Sequence, residues 1–151
     1  MQPPEKYRSE EQYKRIIAIV GGDADHLDFL DRVQRFHQHL VSKLQLPGLV
    51  TGIGPFAWEQ RYLNTRNERR YHAASRQTQP SFKDTFALLD VGRGVGAEWM
   101  MYPLEDLVAH VRRSPDRREF YLGLSELRTL EDASPNYQPL DDYAVWFMNE
   151  R

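Results

Sequence analysis

Between Asp25 and Leu46 the chain keeps one unbroken helical period, and no other stretch limits the fold as tightly. On a wheel of about 100° per residue, Phe29, Leu30, Val33, Phe36, Leu40, Val41 and Leu44 occupy one half. Asp28, Asp31, Arg32, Arg35, Gln38, His39 and Lys43 occupy the other. Asp28 with Arg32 and Asp31 with Arg35 are i,i+4 pairs in the favourable order. Pro47-Gly48 ends the helix. Leu30, Val33, Phe36, Leu40 and Leu44 are expected to be core, and Asp28, Arg32 and Arg35 to be exposed.

Upstream, "RIIAIV" (15–20) is β-branched and apolar, which predicts a strand stopped by Gly21-Gly22. "LVTGI" (49–53) predicts a second strand, so the chain is expected to open β-α-β. "FAWEQRYL" (56–63) sets Phe56, Trp58 and Tyr62 in alternation with Ala57, Glu59 and Arg61, as another strand would. Residues 64–80 lack apolar periodicity and are expected to form a long, mobile basic loop, open to trypsin near Arg69-Arg70. "TFALLDV" and "AEWMMY" flank "GRGVG" as a hairpin. "MMYPLEDL" (100–107) and "FYLGLSEL" (120–127) echo one another, which suits two strands ending in the same corner of a small, strongly bent antiparallel barrel as well as it suits chance. At the end, Pro139 is placed as a first helical residue, with Leu140, Tyr143, Ala144 and Phe147 on one face of a short helix.

The expected organisation is a polar, frayed segment 1–14 and a single α+β domain over 15–151. A length of 151 residues suffices for one domain with a real core, and a formal net charge of −2 gives no global pull toward nucleic acid or an anionic membrane. No cysteine is present, which excludes disulfides, thiolate zinc sites and cysteine nucleophiles. The N-terminal stretch has no apolar core of a signal peptide, and the run "IIAIV" is far too short to span a bilayer. The expectation is a cytoplasmic, bacterial-type protein with no membrane partner.

Four aspartates stand within "VGGDADHLDFLD" (20–31). An EF-hand would need glycine at position 6 and glutamate at position 12. Counting from Asp23, those places hold Asp28 and Gln34, so the motif is absent. Either Asp23 or Asp25 caps the helix and complements its dipole, or both join carboxylates from elsewhere around a cation. "GGDAD" and "GRGVG" also fail the phosphate-loop pattern and read as turns. The five histidines make no metal motif: His26 and His37 share a helix face about 16 Å apart. No G-x-S-x-G or H-E-x-x-H occurs, so nothing argues for an enzyme. Arg61, Arg66, Arg69, Arg70 and Arg76 interleave with Tyr62, Tyr71 and His72, which suits phosphate and base contacts and equally suits a solvated loop.

Three stretches together resemble the small bacterial calcium-binding proteins of the CcbP type. They are "RIIAIVGGDAD" with "HLVSKLQLPGLVTGI", "WMMYPLEDL" with "YLGLSEL", and "LDDYAVWF". The resemblance spans about residues 15–55 and 97–148 and leaves 56–96 without a counterpart. It implies an α+β domain with a small SH3-like antiparallel barrel and Ca²⁺ held by surface carboxylates. Asp23 and Asp25 at the strand end, and Asp141 and Asp142 in the last helix's first turn, are the candidate ligands on chemical grounds. The alternative is a protein- or nucleic-acid-interaction domain acting through the 59–76 segment, with Arg61, Arg66, Arg69 and Arg70 as contacts.

Overall fold

The structure, a computed structural model, describes residues 6–94 and 98–151. The chain opens with two helices, α1 (Glu10–Val20) and α2 (Phe29–Lys43), rather than with a strand. "RIIAIV" is the second half of α1. Ser9 caps that helix by accepting from the Gln12 N–H, Glu10 and Glu11 fill its first turn, and its buried line is Gln12, Ile16 and Val20. That spacing of four is invisible in a window that starts at Arg15. The expected frayed terminus is corrected with it: Tyr7 is buried and residues 10–14 are helical, while residues 1–5 lie outside the described part.

Helix α2 stands where the periodicity puts it, with Val33, Phe36 and Leu40 fully buried. Its stripe is narrower than expected: Leu30 and Val41 face solvent, and Leu44 is half-buried. On the polar side Asp28 and Arg35 are exposed, but Arg32 is half-buried. The cap is Asp28, in a reciprocal box with Asp31, and neither Asp23 nor Asp25 takes that role.

Five antiparallel strands follow: β1 (Gly48–Gly52), β2 (Phe86–Gly92), β3 (Val108–Arg113), β4 (Glu119–Gly123) and β5 (Leu127–Thr129). They lie in the order β4-β3-β2-β1-β5. A 3₁₀ corner at Leu124–Glu126 carries the chain from β4 at one edge to β5 at the other. The expected barrel does not close, and the sheet is open between those two edges. "AEWMMY" is not a strand either. Residues 95–97 lie outside the described part, Glu98 and Trp99 form a turn, no strand follows through Met101, and β2 pairs instead with β3.

Between β1 and β2, the expected strand and loop are both replaced by helical structure: a 3₁₀ turn (Gln60–Tyr62) and helix α3 (Arg66–Ser75). Glu59 folds the 56–63 segment back on itself, its carboxylate accepting from the Phe56 N–H at 3.0 Å. Thr65 and Glu68 form a capping box that starts α3. The last helix, α4 (Tyr137–Glu150), buries Leu140, Tyr143, Ala144 and Phe147 as expected, with Trp146 added. Asn136 is its cap residue and Pro139 its third residue, still within the turn whose N–H groups have no helical partner. Helices α1, α2 and α4 pack on one another, and Phe36 meets Tyr143 and Trp146 at ring distances of 5.3 Å each.

Candidate functional site

Three groups of polar side chains are arranged with enough definition to bear on chemistry. The first is the turn joining α1 to α2. Gly21 ends α1 at φ 90°, a left-handed conformation that glycine takes freely, and a Cβ there would strike Leu27 at 2.7 Å. The turn then aims three carbonyl oxygens inward. Arg32 Nη1 donates to Val20 O at 2.9 Å and Gly22 O at 2.7 Å, and Nη2 donates to Ala24 O at 3.1 Å. A guanidinium thus sits where main-chain oxygens converge. Asp23 and Asp25 flank it on the same turn, exposed, with no hydrogen bond or ion pair to another described residue.

Asp141 and Asp142 sit differently. Arg8 grips Asp141 through Nε and Nη2 at 2.8 and 2.9 Å. Arg15 grips Asp142 through Nε and Nη2, both at 3.0 Å, and the Gln12 amide donates to both carboxylates at 2.9 and 3.0 Å. These contacts fasten α1 to α4 and hold the Arg8 and Arg15 pKa values above their ordinary range. The two aspartate pairs are not gathered into one cluster: among the described residues, no three acidic or histidine side chains come together as a metal site.

The second group is one that sequence reasoning passed over. Asp106 is buried at the end of the 100–107 segment, and Glu126 closes the corresponding 120–127 segment. Both carboxylates press against Gly123, where any Cβ would collide with them. Asp106 accepts from the Ser125 hydroxyl at 2.6 Å, the Ser125 N–H at 3.2 Å and the Tyr143 hydroxyl at 2.7 Å. Tyr143 O in turn accepts from the Leu107 N–H at 3.0 Å. Burial pushes the Asp106 carboxyl up to about 6 despite those donors. Glu126 is pushed up to about 7, by burial first and then by the facing Asp106. Both carboxyls are therefore held above the ordinary carboxylate range.

The third group belongs to the 56–82 segment. Glu59 is fully buried and receives four contacts: His72 Nε2 and the Ser81 hydroxyl at 2.6 Å each, and the Phe56 and Phe82 N–H groups at 3.0 and 2.9 Å. Serine and histidine bond the same carboxylate oxygen rather than each other, so this is a structural lock and not a nucleophile relay. Outside it, Arg61, Arg66, Arg69 and Arg70 are all exposed and none forms an ion pair among the described residues. Arg61 lies 4.9 Å over Tyr62, whose ring packs 4.6 Å from half-exposed Tyr71.

No described helix is long and apolar enough to cross a membrane. No protein-family model matches the chain, and neither does any curated protein sequence. Solved structures do. The fold is similar to that of a protein described as a calcium-binding protein in the calcium-binding form, with a TM-score of 0.59 over 97% of each chain at 16% identity. It is likewise similar to Anabaena CcbP, with a TM-score of 0.57 at 16% identity, covering 97% of this chain and 95% of that one. The CcbP resemblance seen in short sequence motifs is thus carried by the fold of nearly the whole chain.

Proposed function

We propose that this chain is a non-enzymatic Ca²⁺-binding module whose ion site is the Gly21–Asp25 turn. The reading rests chiefly on one observation: the carbonyls of Val20, Gly22 and Ala24 converge on a single cationic group. Calcium takes six to eight oxygens in irregular geometry. Three carbonyls, the uncommitted Asp23 and Asp25 carboxylates and water are a donor set of that kind. The fold likeness to a calcium-binding protein supports the same reading. Asp141 and Asp142 fit the ion less well, because Arg8, Gln12 and Arg15 already take their oxygens. At the turn itself the ion's competitor is Arg32, an internal cation in the same cage.

Competition of this kind has a measurable sign. Ca²⁺ is expected to raise the melting temperature, with a gain of about 2.7 kcal/mol at a hundredfold excess over Kd. Arg32→Gln is expected to tighten Ca²⁺ binding at least tenfold in calorimetry, and Asp23→Asn with Asp25→Asn to abolish it. If millimolar Ca²⁺ leaves both the wild type and Arg32→Gln unmoved, the calcium reading fails.

A second reading is an interaction surface on α3 and the 3₁₀ turn before it, for nucleic acid or a protein partner, favoured by Arg61, Arg66, Arg69 and Arg70, none of them in an ion pair among the described residues, beside the Tyr62–Tyr71 pair. Stacking aromatics and unpaired arginines are the groups that single strands bind. Affinity for single-stranded RNA that falls steeply with salt, and falls further in Arg66→Gln with Arg70→Gln, would support it.

A further inference from the structure

The three-helix layer leaves an open cleft of about 830 Å³ bordered by α1, α2 and the start of α4. Its charged lining is cationic in balance: Arg15 from α1, held by Asp142, and Arg35 and Lys43 from α2, with Gln38 and His39 beside them. Only one acid, Asp142, is among the lining residues, and it is 2% exposed with its oxygens held by Arg15 and Gln12. Arg35 and Lys43 have no hydrogen bond or ion pair to another described residue. The cleft therefore carries positive charge that nothing in the fold neutralises. His39 registers that field, its pKa lowered by burial and then by the Lys43 ammonium.

Two further features suit an anion. Pro135, Gln138 and Pro139 bring the first turn of α4 to the cleft. That turn contains no acid, since Asp141 and Asp142 stand just beyond it rather than within it as expected, and its cap residue makes no side-chain hydrogen bond to it, so no charge within the turn meets the positive end of the helix dipole. Arg35 and Lys43 are eight residues apart, about 12 Å along α2, which exceeds the reach of one phosphate group. Guanidinium groups match phosphate oxygens in forked geometry, and lysine serves as a point charge beside them. Ile19 and Ala18 provide an apolar floor for an attached organic body.

We infer that this cleft is a binding site for a small polyanion carrying two or more linked phosphates. The site adjoins the Gly21–Asp25 turn through Arg35, whose guanidinium would stand 3.5 Å from a Cβ at Gly21, but it shares no proposed donor with the ion and does not depend on the calcium reading.

Calorimetry in EDTA-containing buffer would test it with inorganic pyrophosphate, ADP and sulfate as probes. Arg35→Gln, Lys43→Gln and a control outside the cleft, Arg70→Gln, are the variants. Pyrophosphate or ADP is expected to bind at least tenfold more tightly than sulfate. Each cleft variant is expected to weaken that binding at least tenfold, with Arg70→Gln unchanged. Equal affinity for pyrophosphate and ADP would assign recognition to the diphosphate alone; tighter ADP would assign part of it to the apolar floor. Binding no stronger than that of sulfate overturns the inference. So does affinity that survives both cleft variants, or that falls equally in Arg70→Gln.

Discussion

Arg113→Ala is expected to cost about 3–5 kcal/mol and to release α3 from the body of the protein. The guanidinium is buried on β3 and works as an anchor for a helix that is remote in sequence. It donates to Gln77 O at 3.0 Å, Arg76 O at 2.9 Å and Gln79 O at 2.8 Å, just past the end of α3. It also bonds Asp84 at 3.1 Å and Asp116 at 2.7 and 3.2 Å, and lies 5.1 Å over the Phe120 ring. Removing it strands three carbonyls and leaves the largely buried Asp84 carboxylate with Arg76 at 3.2 Å and the Ser81 N–H at 2.9 Å alone. Asp116, now held below the usual carboxylate range by this arginine, would return toward it. Lysine is expected to rescue little, since it cannot fork to several acceptors in one plane. Urea denaturation measures the loss, and trypsin supplies a local readout. Cleavage near Arg69-Arg70 is expected to be slow in the wild type and fast in the variant. A cost below about 1 kcal/mol with unchanged protection would mean that α3 is held by something else.

Glu126→Gln is expected to stabilise the protein above pH 7 by about 3 kcal/mol while doing little below pH 4. The folded state raises this carboxyl from 4.5 to about 7, so it binds the proton more tightly than the unfolded chain does. Stability linked to that proton is therefore fully present below the unfolded value and is lost as pH climbs through the folded one. Asp106, raised to about 6 against the same glycine, acts in the same direction, and its charge adds to the rise at Glu126. His39 works oppositely below its ordinary value, because its folded pKa is lowered. The difference between variant and wild type isolates the carboxyl pair from that background. Chemical denaturation at half-unit steps from pH 4 to 8 gives the curve. A difference that stays flat across the range would show that folding does not raise the Glu126 carboxyl.

Helix α2, strands β1 and β2 and the buried face of α4 could be foreseen because each carries its own periodic signal. The errors have specific causes. In α1, β-branched residues at 16, 17, 19 and 20 outweighed a helical line that begins four residues earlier, at Gln12. In α3 a start signal was present and passed over: Thr65 followed by Glu68 is a capping box. The helix lacks an apolar stripe and is held by polar contacts instead: His72 on Glu59 at 2.6 Å, and Arg113 on the carbonyls just past its end. The echo between 100–107 and 120–127 set Asp106 and Glu126 at equivalent places, yet only the fold brings those places face to face. Nor could local pattern assign the role of Arg32, which falls on the polar half of its wheel and turns inward to three carbonyls.

The position of β5 has a consequence for time rather than for shape. Strand β1 lies between β2 and β5, with Val50 opposite Thr129, so one of its two ladders joins distant parts of the chain. Closing a loop of that length costs entropy before the short ladder of β5 returns anything. The edge strand is then the last piece to dock and the first to leave. Leu127→Ala is accordingly expected to speed unfolding in stopped-flow chevrons while the refolding rate stays near that of the wild type. Slowed refolding would instead place β5 in the nucleus. On that expectation the far edge opens early, and the protein's lifetime depends on the docking of a three-residue strand.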